Sequence, residues 1–531
     1  MKVLYLLYAA PTAWALINPI LPGWNSDPSI IRVEDDYFIA TSTFESWPGH
    51  PIYHSKDLID WKLAGYASNK PSQFSMLGTP PNAGVWAPTL RYHNGTYYLA
   101  TTTRYVDTAE LRLFLRSFYV TTDDIFSNIW SDPIYFDSLG YDPDLFWDDN
   151  GDVYSTWAGI NHAKEKIHGI WQNRIDITTG TSSTEAQLIF NGTLELNATS
   201  RPEGPHVYFI NEMYYLVIAE GSTGLTHRAT IQRGPSPSGP WENNPANPIL
   251  YNGVDPSQTV QCTGHVDLVE SLDGEWWGTA LATRVQNGNV SHQQLGRESY
   301  LFPVHWEDGW PIINNGKPLV ENDPDVLLDD KPLQLFSTNF TEGSLDATFH
   351  FLRTPIKKFH EITEDGLFIH ANSYALGDRD NPAAVFRRQS SYSETFEVQV
   401  DFQDPHNRLQ EAGISAFYDD YLHNEVGVTG ASDGSGDRLN STTYPVKLRI
   451  TARPDHYTLS YAEAPDSAYV DVGTFDAAVL SVPPPGSFYF KGTEFAAYNT
   501  GTGRPSLLPA TFKYWMQTPE ALEPTNATLS S

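Results

Sequence analysis

Apolar and polar positions alternate along most of this chain with the period of two that marks half-buried strands. The alternation is organised into a recurring unit. A small or acidic residue with proline opens it, a short apolar strand follows, then a turn of Asp, Asn or Gly, then a strand carrying paired aromatics. The five copies read DPSIIRVEDDYFIATST from Asp27, APTLRYHNGTYYLATTT from Ala87, DPDLFWDDNGDVYSTWA from Asp142, EGPHVYFINEMYYLVIA from Glu203 and GHVDLVESLDGEWWGTA from Gly264. Their starts lie 60, 55, 61 and 61 residues apart. Asn-Gly, Asp-Gly and Asp-Asp pairs stand where a tight turn is required, so each copy is a hairpin. Two further strand-like stretches follow most hairpins, many ending near a tryptophan, as at Trp61, Trp130, Trp241 and Trp306. Four strands per unit, repeated five times, predict a five-bladed β-propeller.

The period stops after Trp310-Pro311-Ile312. An acidic, proline-containing stretch follows, and beyond it come strands such as Phe396-Glu397-Val398-Gln399-Val400 and Val446-Lys447-Leu448-Arg449-Ile450, with no 60-residue repeat. These predict a β-sandwich of the concanavalin-like or jelly-roll kind. The glycine-rich run at 430–436 lacks the lysine and following helix of a phosphate cradle. The chain start is different again. Met1-Lys2, the apolar stretch Val3 to Ala10 and Ala13-Trp14-Ala15 have the build of a secretory signal peptide, cleaved after Ala15. The expected organisation is therefore all-β: signal peptide 1–15, propeller 16–320, linker 321–334 and sandwich 335–531.

Composition narrows the function. Among 531 residues the net charge is −31, which repels nucleic-acid phosphates and anionic lipid, so neither nucleic acid nor membrane is an expected partner. The single cysteine, Cys262, excludes an intramolecular disulfide framework and is expected as a small buried residue. Seven Asn-x-Ser/Thr sequons, at Asn94, Asn191, Asn197, Asn289, Asn339, Asn440 and Asn526, suit a secreted, extracellular glycoprotein.

The repeat phase carries the chemistry. In a propeller, equivalent positions of the blades converge at one mouth of the central funnel. The residues opening the copies are Asp27, Trp86, Asp142, Glu203 and His265. An Asp-Pro before a strand is by itself most often a turn starter, and a lone histidine is most often packed. Three carboxylates, a Trp and a His in one phase make a site. Clustered carboxylates cannot all ionise without cost, so one pKa rises and a proton donor separates from a proton acceptor, as glycoside hydrolysis requires. Trp86 and Phe44 are placed to stack on sugar, and Arg297 to bond hydroxyls or balance the acids.

These residues resemble glycoside hydrolase family 43. The likeness runs through Asn25-Ser26-Asp27-Pro28-Ser29, Val85-Trp86-Ala87-Pro88, Tyr141-Asp142-Pro143-Asp144, Arg201-Pro202-Glu203-Gly204-Pro205-His206, Thr263-Gly264-His265 and Leu295-Gly296-Arg297-Glu298. The tail is similar to the sandwich of the β-xylosidase and α-L-arabinofuranosidase branch, through Phe351-Leu352-Arg353-Thr354-Pro355 and Arg387-Arg388-Gln389. The resemblance implies an inverting exo-glycosidase that releases xylose or arabinose from xylo-oligosaccharides or arabinoxylan. It implies Asp27 as general base, Glu203 as general acid and Asp142 as modulator of the acid. It implies sugar contacts at Phe44, Trp86, His265 and Arg297, and at Phe495, one step from the loop phenylalanine of the branch. It requires no cofactor, although in some members the histidine matched by His265 helps hold calcium at the propeller centre through water. Two alternatives remain at this stage: a retaining fructofuranosidase-type hydrolase, and a non-catalytic carbohydrate-binding propeller.

Overall fold

The computed structural model describes residues 17–520, apart from 106–114, 161–167, 196–200, 287–292, 322–334, 342, 404, 406, 431–444, 464–466 and 482–488. The signal-peptide reading, the 321–334 linker after its first residue, most of the 430–436 run, and the sequons at Asn197, Asn289, Asn440 and Asn526 lie outside the described residues. No α-helix occurs among the described residues.

Five consecutive antiparallel sheets follow one another from Ser29 to Ile313. Their innermost strands are Ser29–Val33, Thr89–His93, Gly140–Trp147, Glu203–Ile210 and Val260–Glu270. Each packs against the next and the fifth against the first, so the sheets close into a ring of five blades. The hairpins fall where the turn residues placed them. Asn94 and Gly95 both have positive φ, as a type I′ turn between right-twisted strands requires, and they bring Thr89–His93 into register with Thr96–Arg104. The amino-terminal segment laces the ring shut. Asn18 exchanges side-chain hydrogen bonds with the Leu301 backbone at 2.8 and 2.9 Å, and the Asn25 N–H donates to the Arg297 carbonyl at 2.8 Å.

The remaining strands form two facing sheets, one built around Glu394–Asp401 and Pro509–Pro519 and the other around Glu411–Phe417 and Glu494–Thr500. The alternation read from the sequence is the packing observed. Val446, Leu448, Ile450 and Ala452 are buried while Lys447, Arg449 and Thr451 face outward, and Ile450 lies opposite Phe396 in the ladder. The core between the sheets includes Phe396, Trp515 and Phe495.

The sandwich docks on the propeller through backbone and buried charge. Phe351–Leu352 pairs as a strand with Ser46–Trp47 of blade 1. Arg353, fully buried, bonds the Asp420 carboxylate at 2.7 Å and the Thr79 carbonyl at 2.7 Å. A buried guanidinium is tolerable only with such complete pairing.

Candidate active site

Four of the five blades use the same local distortion at the funnel mouth. Asp27, Asp142, Gly204 and His265 all adopt positive φ, close to 55°. In blades 3, 4 and 5 the strand register also shifts there, between Tyr141 and Asp144, Glu203 and His206, and Gly264 and Asp267. A left-handed residue costs roughly 1–2 kcal/mol when it carries a side chain, and aspartate tolerates it best. The distortion breaks the two-residue alternation, so the opening residue points into the funnel and the strand below resumes its pleat. Blade 4 uses glycine at this position because a Cβ on Gly204 would stand 3.0 Å from the His265 ring. Its acid, Glu203, therefore comes from one residue earlier.

The side chains form a closed circuit of contacts. Arg297 donates to Asp27 at 3.1 Å and its guanidinium lies 5.0 Å from the centre of the Phe490 ring. Phe490 meets Trp86 edge-on at 5.9 Å, and Trp86 meets Tyr141 edge-on at 5.6 Å. The Tyr141 hydroxyl donates to Glu203 at 3.1 Å. The Gly204 N–H donates to Asp142 at 3.1 Å, and His265 packs over Gly204 with Nδ1 3.7 Å from Asp27. Carboxylates and aromatic rings thus converge in one cluster at the funnel mouth, called the pit below, and both are what a sugar ring needs.

The acids differ in proton affinity for identifiable reasons. Burial works against ionising Asp27, but Arg297, His265, the 2.5 Å hydrogen bond from Ser42 and His227 together hold its pKa below the ordinary value. Glu203 has the opposite balance. Burial, aided by the charge of Asp27, pushes it up to about 7 against the hydrogen bond from Tyr141 and the pull of Arg297 and Arg201. Burial and the nearby charges of Glu203 and Asp27 also raise Asp142. Burial and mutual repulsion thus push Asp142 and Glu203 toward the protonated form, while its cationic neighbours and Ser42 pull Asp27 toward the ionised form. His265 is kept neutral, its pKa lowered by burial to about 4. The arrangement supplies one carboxylate base and one carboxylic acid.

Sequences from known proteins place this geometry in a family. The profile of Glycosyl hydrolases family 43 matches residues 16–311. The chain belongs to that family. The profile of the beta xylosidase C-terminal concanavalin A-like domain matches residues 337–517 of this family 43 enzyme. A non-reducing end alpha-L-arabinofuranosidase of Bacteroides ovatus is 34% identical over 94% of both chains. A xylan 1,3-beta-xylosidase of a Vibrio species is 36% identical over 76% of this chain and 77% of its own. The crystal structure of a xylan beta-1,4-xylosidase from Bacillus halodurans superposes with a TM-score of 0.86 at 30% identity, over 95% of this chain and all of that one. The family 43 chain is thus a glycosyl hydrolase with an all-β propeller-plus-sandwich fold, and the non-catalytic alternative falls.

Most of the residues expected at the pit are there: Asp27, Trp86, Asp142, Glu203, His265 and Arg297 share it. Two expectations are corrected. Phe495 is 0% exposed and stacks on Phe396 at 5.0 Å inside the sandwich. It lies in the strand Glu494–Thr500, so the alternation of that strand carries its ring into the core. Phe490, in the loop before that strand, is the phenylalanine at the pit. Phe44 is 1% exposed, because Phe490 stacks on it at 5.7 Å. Phe44 therefore backs the aromatic wall, and Phe490 supplies its inner face. Tyr141, Ser42 and His50 were not singled out by sequence. His50 bonds the Trp86 carbonyl at 3.1 Å and Ser68 at 2.8 Å. The roles of all three depend on partners from other strands and blades, which no local pattern records. The Tyr489-Phe490-Lys491-Gly492 run would have marked the loop.

The centre of the funnel, one layer below the pit, gathers Arg91, Asp144, His206 and Asp267. Calcium takes six to eight oxygen ligands. Both carboxylates of this layer are engaged by Arg91, which contacts Asp144 at 2.8 Å and Asp267 at 3.3 Å and bonds His206 at 2.9 Å. Asp267 also accepts from Ser29 at 2.7 Å and Tyr208 at 2.5 Å. Among the described residues no group of three or more His, Cys, Asp or Glu side chains is placed to hold a metal. The residues present do not fit a directly coordinated calcium, since a fixed guanidinium already supplies the positive charge.

Proposed function

We propose that this family 43 enzyme is a secreted, exo-acting, inverting hydrolase that releases xylose or arabinose from the ends of xylo-oligosaccharides or arabinoxylan. The observation that carries the mechanism is the split between Asp27, held ionised by Arg297, and Glu203, pushed up to about 7 in the same pit. Glu203 gives its proton to the glycosidic oxygen as the bond to the anomeric carbon breaks. Asp27 takes a proton from water as the water oxygen bonds that carbon from the opposite face. Asp142 sits beside Glu203 and orients it. Trp86 and Phe490 hold the apolar face of the sugar. Solvent returns a proton to Glu203 and removes one from Asp27.

Exo action is supported by the sandwich loop, which brings Phe490 against Trp86 and Phe44 and closes one side of the pit. The names of the relatives support the two terminal sugars. Secretion and glycosylation are supported by the leader-like segment 1–15 and by the exposed sequons Asn94, Asn191 and Asn339.

The test is NMR of the first sugar released from an aryl β-xyloside and an aryl α-L-arabinofuranoside. Inverted anomeric configuration is expected, and a retained configuration would overturn the assignment. Asp27→Asn and Glu203→Gln are each expected to lower turnover by at least about a hundredfold. Near-normal turnover in either removes that residue from its role.

A further inference from the structure

Two contacts between the propeller and the sandwich share one register. Phe44 of blade 1 stacks on Phe490 of the sandwich loop at 5.7 Å. The next residue on each side, Glu45 and Lys491, forms an ion pair of 2.6 Å whose side chains are 1% and 0% exposed. Asn82 ties this pair to the aromatic wall. Its N–H donates to Glu45 at 2.9 Å, its side-chain oxygen accepts from the Phe490 N–H at 3.2 Å, and its carbonyl accepts from the Trp86 indole at 3.1 Å. The Lys491 ammonium has exchanged water for the Glu45 carboxylate and the ring faces of Phe417 and Tyr418, at 5.5 and 5.6 Å.

A buried ion pair adds little net stability over an apolar pair of the same shape, but once buried neither charge can move away from the other without a large penalty. The sandwich has other anchors, in Arg353 and the strand pair at Phe351–Leu352. The nearby carboxylate of Glu494 has its own partner in His350 at 3.0 Å. Glu45 therefore specifies where Lys491 sits, and Lys491 specifies where Phe490 sits. We propose that Glu45 and Lys491 are positioning residues for the sugar pocket: their ion pair sets the stance of Phe490 and thereby the affinity for the terminal sugar, without taking part in bond cleavage. This rests on reading the pit as the sugar site.

The test is a double-mutant cycle read in KM and kcat with an aryl β-xyloside. Lys491→Met is expected to raise KM about tenfold and change kcat by less than about threefold. Phe490→Ala is expected to raise KM by a similar factor. If Lys491 acts through Phe490, adding Lys491→Met to Phe490→Ala raises KM no further. Lys491→Arg, which keeps the charge, should recover much of the wild-type KM. A wild-type KM in folded Lys491→Met, or KM effects that multiply in the double variant, would overturn the proposal. If Lys491→Met does not fold, Glu45→Gln replaces it in the same cycle with the same two readings. The wild type is measured first on the aryl β-xyloside and on an aryl α-L-arabinofuranoside, the cycle is run on whichever it cleaves, and inactivity on both would instead count against the pit as the sugar site.

Discussion

Arg297, at the start of the third strand of blade 5, holds Asp27 of blade 1 through a 3.1 Å hydrogen bond, although 270 residues separate them. This pairing keeps Asp27 ionised despite its burial. Arg297→Met removes the opposing charge, so the Asp27 pKa rises. The acidic limb of the kcat/KM profile then moves to higher pH, because the base must be ionised to act. Arg297→Lys should move the limb less. A profile with an unmoved acidic limb in Arg297→Met would show that another group sets it.

Tyr141 acts on the acid in the opposite sense. Its hydrogen bond to Glu203 lowers the pKa of that carboxyl, which burial has raised to about 7. Tyr141→Phe keeps the ring against Trp86 and deletes the bond. Glu203 should then hold its proton to higher pH, and the basic limb of the kcat/KM profile should move to more alkaline values. A shift to lower pH would contradict the assignment of Glu203 as the acid.

Arg91 stands where the two axial carboxylates need a cation. Removing one partner of a buried pair leaves the other charge uncompensated, at a cost of about 3–5 kcal/mol. Arg91→Met should lower the midpoint of urea unfolding accordingly. In the intact protein, a chelator such as EDTA should change neither the thermal midpoint nor the rate of aryl xyloside hydrolysis. A drop in both, reversed by calcium, would show that a metal is held after all.

Asp267 couples this layer to pH. Burial opposes its ionisation, but His206, Arg91, Tyr208 and Ser29 outweigh it and lower its pKa from 3.8 to about 2. A carboxyl with a lowered folded pKa stabilises the fold above its unfolded value and ceases to do so as pH falls through the folded value. The stability gap between wild type and Asp267→Asn should therefore be widest above pH 4 and narrow steadily as the pH approaches about 2. Urea unfolding at a series of pH values measures it.

Phe495 and Phe490 should behave oppositely. Deleting a fully buried phenylalanine ring costs about 3–5 kcal/mol, so Phe495→Ala should lower the thermal midpoint of the sandwich while the folded enzyme keeps its KM. A raised KM in folded Phe495→Ala would return that residue to the pit.

The blades, and the residues that open them, are written in local sequence. Period-two alternation and turn chemistry are local, so the hairpins at Asn94-Gly95 and its counterparts were legible, and repetition then placed Asp27, Asp142, Glu203 and His265 at one mouth. Tertiary structure alone decided what each residue faces. Phe490 and Phe495 lie five positions apart beside one strand, and which of them reaches the pit depends on where the sandwich docks, through Arg353 and the Glu45–Lys491 pair. The proton affinities of Asp27 and Glu203 likewise depend on burial and on Arg297 and Tyr141. These are sums over neighbours brought in from other blades, and no local pattern records them.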